Sequence, residues 1–77
     1  MKIRVELQAY LGDYAPGDGA IFAYELPDGA TVADLIRKLG VPEELASVLV
    51  IGEDAVGPAQ ALHEGDRVTV IPPVAGG

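Results

Sequence analysis

The residues best suited to chemistry in this sequence are its last ones, VIPPVAGG, Val70 to Gly77. Pro72 and Pro73 favour an extended polyproline conformation, so the tail is expected to project from the sheet edge rather than fold back. Gly76 and Gly77 lack a Cβ and can thread a channel too narrow for side chains. The chemistry this allows is activation of the Gly77 carboxylate by another enzyme. A carboxylate is a poor electrophile until one of its oxygens joins a good leaving group, as in an acyl-adenylate. A persulfide or thiol can then attack the carbonyl carbon. The plain alternative is an ordinary disordered terminus.

Elsewhere a conventional active site is hard to assemble. There is no cysteine, so disulfides, thiolate nucleophiles and cysteine metal sites are excluded. His63 is the lone histidine; it falls in a predicted turn and reads as a solvated surface residue. Ser47, the lone serine, begins a predicted strand without a nucleophile-elbow pattern. Glu43-Glu44 and Glu53-Asp54 are chain neighbours, which do not converge on one ion, so no metal site is expected. Gly17 and Gly19 open a G-x-G, but Phe22 occupies the place of the third glycine, and the loop precedes a strand rather than a helix. That segment reads as a flexible hairpin connection.

The tail must be carried by something, and 77 residues make one small domain, residues 1–77, with 72–77 as its extended end. A chain of this size buries about 60% of the surface that its unfolded form exposes. Hydrophobic residues are 49% of the total, enough for a core and too many for a disordered chain. Twelve acidic residues against five basic ones give a net charge of −7. That field repels phosphate backbones, so no direct nucleic-acid partner is expected, and it favours a basic surface on a protein partner. The longest apolar stretch, residues 46–51, is far short of a membrane span. MKIRVELQ lacks the apolar block of a secretory signal, and a cytoplasmic protein is expected.

The elements follow from periodicity. Ile3, Val5 and Leu7 alternate with polar residues, predicting a strand over 3–9. LGDYAPGDG, Leu11 to Gly19, reads as a loop. IFAYEL, Ile21 to Leu26, reads as a second strand with Phe22, Tyr24 and Leu26 on one face, pairing with the first as a hairpin. Thr31 is a candidate N-cap with Asp34 three residues on, a shortened capping box. Val32, Leu35, Ile36 and Leu39 then form one apolar helix face, ended by Gly40 and Pro42. PEELA, Pro42 to Ala46, predicts a short helical turn, and SVLVI, Ser47 to Ile51, a strand. Residues 55–62 are weakly patterned, with a possible short strand. RVTVI, Arg67 to Ile71, predicts the final strand with Val68 and Val70 inward, stopped by Pro72. One helix and four or five strands can bury their apolar faces only on each other. The expected class is α+β, a mixed sheet packed on one main helix. Local rules do not place the last strand.

Over essentially its whole length the chain resembles the ubiquitin-like sulfur carrier proteins, the family of the molybdopterin synthase small subunit and the thiamine sulfur carrier. The resemblance rests on MKIRVEL with Ala9 and Leu11, on LPDGATVADLIRKLG, and on EGDRVTVIPPVAGG. The final PPVAGG is its most specific part and favours the molybdopterin branch. Gln8 and Gly12 stand where many relatives carry an aromatic residue and an arginine, and Ile51 where the family usually has asparagine.

The resemblance implies a β-grasp fold with the first and last strands side by side at the sheet centre. It implies that Gly77 is adenylated by an ATP-using, ubiquitin-activating-like adenylyltransferase. A sulfurtransferase would then supply the sulfur that converts it to a thiocarboxylate. No permanently bound cofactor is implied. In the molybdopterin branch the tail, Ala75, Gly76 and Gly77, threads into the large subunit of molybdopterin synthase. Ile71, Pro72, Pro73 and Val74, with Leu7, are placed in the partner-binding patch. Other acceptors share the same chemistry: thiamine thiazole synthesis, tRNA thiolation, or lysines if the chain is a protein modifier. A non-catalytic binding module with an inert tail is the remaining alternative.

Overall fold

The computed structural model describes residues 1–74. Its strands are β1 (Lys2–Leu7), β2 (Ile21–Glu25), β3 (Val48–Ile51), β4 (Asp54–Val56) and β5 (Arg67–Ile71), and its α-helix is α1 (Val32–Leu39). The five strands form one sheet in the order β2-β1-β5-β3-β4. β1 and β5 pair in parallel, from Arg4 with Arg67 to Leu7 with Val70. The other pairings are antiparallel. First and last strands therefore lie together inside the sheet, the β-grasp arrangement that the resemblance implies. Among the described residues no helix is long and apolar enough to cross a membrane.

The alternation in β1 sorts its side chains: Ile3, Val5 and Leu7 are buried, Lys2 and Arg4 exposed. Val68 and Val70 of β5 are fully buried beside them, and Leu49 of β3 extends the layer. α1 lays Val32, Leu35 and Ile36 on this face, and all join one core cluster. Each such side chain contributes roughly 1.5–3 kcal/mol by leaving water. On β2, Phe22 and Tyr24 pack edge to face with ring centroids 6.1 Å apart, and Leu26 is buried.

Both ends of α1 are built by local sequence. The Thr31 hydroxyl accepts from the Asp34 amide at 3.2 Å, and the Asp34 carboxylate accepts from the Thr31 amide at 2.9 Å. This reciprocal box satisfies two donors that a helix start leaves open. The Val32 and Ala33 amides donate to the carbonyls of Gln60 and Pro58 at 2.9 and 2.8 Å. The weakly patterned segment before β5 thus serves as an external cap for the helix, and its Leu62 is buried in the core. At the other end Gly40 takes φ 79°. Its amide bonds the Arg37 carbonyl and that of Val41 bonds Ile36, the two bonds of a Schellman turn.

The structure departs from the sequence expectation after β1. The strand stops at Leu7, and Ala9–Tyr14 form a 3-10 helix rather than a loop. Ala9 adopts φ 52°, an uncommon conformation for a residue with a Cβ. That turn brings Leu11 into the core at 0% exposure, and burial of a leucine outweighs one strained dihedral. The short strand in the weakly patterned region is β4, joined to β3 by the two-residue turn Gly52-Glu53.

Leu11→Ala should destabilise the protein by about 2–5 kcal/mol, where a flexible loop would give almost no change; denaturant unfolding distinguishes the two. The Asp34 carboxyl is held below its ordinary range, first by the Thr31 backbone amide, then by the Thr31 hydroxyl and Arg37, against an opposing effect of desolvation. Because the folded group is the stronger acid, its contribution is complete above the ordinary carboxylate range and is lost as pH falls through its lowered value. Asp34→Asn should flatten the acid limb of the stability profile, measured by melting temperature against pH. Thr31→Ala should cost about 1 kcal/mol at neutral pH.

Candidate functional site

The candidate site is where the central strand leaves the sheet. β5 is held on one side by β1 as far as Val70 and on the other by β3 as far as its last residue, Ile71. At its end the Gln8 amide donates to the Val70 carbonyl at 3.0 Å, and the Ser47 amide donates to the Ile71 carbonyl at 3.1 Å. Pro72 brings no N–H and pairing ends there. Pro72 is buried and Pro73 exposed; Val74 is 95% exposed. Within three residues the chain passes from the best-anchored strand into open solvent. Ala75, Gly76 and Gly77, on which the tail chemistry is expected, lie outside the described residues.

Two of the residues expected to bind a partner occupy other places. Leu7 is 1% exposed and packs in the core, because the inward phase of β1 falls on odd-numbered residues. It therefore offers no docking surface. Pro72 is buried and anchors the base of the tail. Ile71, half-buried, lies on the outer face opposite Val48, which is 41% exposed. Pro73 and Val74 remain free to touch a partner.

Sequence reasoning did not single out Val48, Ile21 or Tyr10, which are 41%, 57% and 47% exposed. Ile21, Glu6, Thr69, Val50 and Ala55 form one rung across the outer face of the sheet. Val48 and Ile71 form the next rung toward the tail. Tyr10 stands in the 3-10 helix that follows β1, at the same end. Strand alternation in β2 and β3 was the available signal: with Phe22 and Leu49 inward, Ile21 and Val48 must face out.

No charged or polar residue is buried among the described residues, and no three metal-ligating side chains converge there. The His63 side chain is 76% exposed, and its amide donates to the Asp66 carboxylate at 2.8 Å, a turn stabilised by its own aspartate. The described body thus presents no desolvated acid, base or nucleophile of the kind that active sites use. What it does present is an extended, exposed strand end beside an apolar patch.

Comparison with known proteins gives this geometry a lineage. The ThiS family model matches residues 9–77, a span that includes the glycine pair. The chain is 30% identical to the protein assigned as molybdopterin converting factor subunit 1 in Pyrococcus furiosus, covering 95% of this chain and 98% of that one, with a TM-score of 0.75. The HVO 2177 protein of Haloferax volcanii is 29% identical, with 100% of this chain and 87% of that one covered and a TM-score of 0.80. SAMP1 of Haloferax volcanii shares the fold at 22% identity, with both chains fully covered at 100% and a TM-score of 0.74. Among curated proteins none matches significantly.

Leu7→Ala should cost about 2–5 kcal/mol of stability, whereas Val74→Ala should stay within about 0.5 kcal/mol of the parent; chemical denaturation of the two variants checks their placement. With the β-grasp sheet, the tail rooted in its central strand and the family match extending to residue 77, the chain belongs to the ThiS family of ubiquitin-like sulfur carriers.

Proposed function

We propose that this protein carries sulfur on its C-terminus, as the small subunit of a molybdopterin synthase. The observation that carries the reading is the exit of β5. A strand pinned on both sides runs through a buried proline to Val74 at 95% exposure, with Gly76 and Gly77 two and three residues beyond. The branch assignment is supported by the Pyrococcus furiosus relative and by the PPVAGG ending.

In this reading a Gly77 carboxylate oxygen attacks the α-phosphorus of ATP on a ubiquitin-activating-like enzyme, and pyrophosphate leaves. A persulfide sulfur from a sulfurtransferase then attacks the Gly77 carbonyl carbon and displaces AMP. A second thiol cleaves the resulting acyl disulfide, leaving the thiocarboxylate and a new disulfide on the donor. The chain itself supplies no acid or base to these steps. Its contribution is positional: the rigid sheet and the Pro-Pro step aim the tail, and the glycines fit a narrow channel in the partner. Pro73, Val74 and Ile71, with Val48 beside them, form the apolar contact around the channel mouth.

Intact-mass analysis tests this. Incubated with the activating enzyme, ATP and a sulfurtransferase, the chain should gain the mass of one oxygen-to-sulfur exchange. Deletion of Gly77 should abolish the gain. Adding the synthase large subunit and its pterin precursor should return the chain to its original mass. A chain that instead accumulates as adducts on lysines of other proteins, or that keeps its mass throughout, contradicts the reading.

A further inference from the structure

The outer face of the sheet carries a charge arrangement that the tail chemistry does not use. Five basic residues must share the surface with twelve acidic ones, so most cations would be expected beside a carboxylate. Instead Arg4 and Arg67 occupy directly paired positions on the parallel strands β1 and β5. Both are exposed, and both point away from the core, since Ile3, Val5 and Val68 beside them are buried. Like charges placed directly opposite each other destabilise a sheet.

The surroundings leave this pair uncovered. On the β2 side the rung continues to Ala23. On the β3 side it meets the backbone of Gly52, whose amide donates to the Arg67 carbonyl at 2.9 Å. Three nearby carboxylates each accept a hydrogen bond from another donor. Glu6 accepts from the Gln8 side chain at 3.3 Å, Glu64 from the Lys2 amide at 2.9 Å, and Asp66 from the His63 amide at 2.8 Å. Glu25 lies opposite Lys2. Among the described residues the ion pairs are Met1–Asp28 and Arg37–Asp34, and the His63 ring lies 3.9 Å from the Asp66 carboxylate; none includes Arg4 or Arg67.

We propose that Arg4 and Arg67 are a recognition site for an acidic segment of the enzyme that activates Gly77, a segment presenting two carboxylates across the bare Ala23–Gly52 rung. The inference rests on the tail being activated, as proposed above, and not on which acceptor follows, because every fate of the tail begins with activation. Two guanidinium forks side by side suit bidentate pairing with carboxylates. A second copy of this chain is a poor occupant, since two bodies of charge −7 repel. The location fits one footprint. Arg67 and Ile71 are the two ends of β5, about 13 Å apart at strand rise. A standard interface of about 800 Å² per partner is roughly 30 Å across, so an enzyme holding the tail reaches both the apolar rung and the arginines. The negative field of the body then sets long-range attraction to basic regions of that enzyme, and the arginine pair fixes the register by demanding an acidic spot.

Steady-state adenylation by the activating enzyme, with the full chain as variable substrate, tests the site. For Arg4→Glu/Arg67→Glu the KM for the carrier should rise about tenfold or more at unchanged kcat. For Arg67→Glu alone it should rise about threefold or more, while the melting temperature increases by roughly 2–4 °C because an opposite-charge pair replaces a like-charge one. Stability and recognition moving in opposite directions cannot come from a damaged fold. A KM within about twofold of the parent in the double variant, with both proteins folded, overturns the inference and leaves the carrier function standing. Failure of the parent chain itself to be adenylated overturns both.

Discussion

The parallel pairing of β1 with β5, Arg4 through Leu7 against Arg67 through Val70, is the constraint on which the other features rest. It joins the start of the chain to its end, so the loop-closure entropy of nearly the whole protein must be met before it forms. Burial of Val5, Leu7, Val68 and Val70 on the inner side of the two strands opposes that cost. Once made, the pairing puts β5 inside the sheet, where β3 clasps its other side. The tail is then a direct continuation of the most enclosed strand. The direction of the Pro-Pro step is set by the sheet. The same pairing brings Arg4 and Arg67 together on the outer face at the other end of β5, so the root of the tail and the arginine pair have one origin.

How far the sequence reveals this depends on the range of the interaction. Thr31, Asp34 and Gly40 act on residues three or fewer positions away, and the helix they delimit is legible from spacing alone. β5 is legible too, because its alternation is clean and Pro72 forbids continuation. The partner of β5 is not, since nothing local in RVTVI specifies β1; that placement came through family resemblance. The 3-10 helix at Ala9–Tyr14 was hidden for another reason. Its glycine, aspartate and proline neighbours are loop residues by composition, and only the tertiary reward of burying Leu11 selects the left-handed Ala9. The segment before β5 looked featureless because its role is carried by backbone carbonyls, those of Pro58 and Gln60, which leave no mark in side-chain pattern.

The tail residues were legible by type, whereas their surroundings required the fold. Leu7 and Pro72 illustrate the limit. Both are apolar and close to the strand ends, and both belong to the interior, where they hold the strand rather than a partner. The surface that remains near the exit, Ile71, Val48, Pro73 and Val74, combines residues from two strands and the tail base. A net charge of −7 describes the whole chain and conceals a face on which arginines lie side by side. Under the recognition proposed for Arg4 and Arg67, partner selection depends on a pattern rather than on the sign of the total.

ATP–pyrophosphate exchange by the activating enzyme tests the central claim most directly, because it reports adenylate formation without reference to any acceptor. The chain with a free Gly77 carboxylate should stimulate exchange, and the same chain made with a C-terminal amide should not. Equal stimulation by both forms, or none by either, would contradict the account.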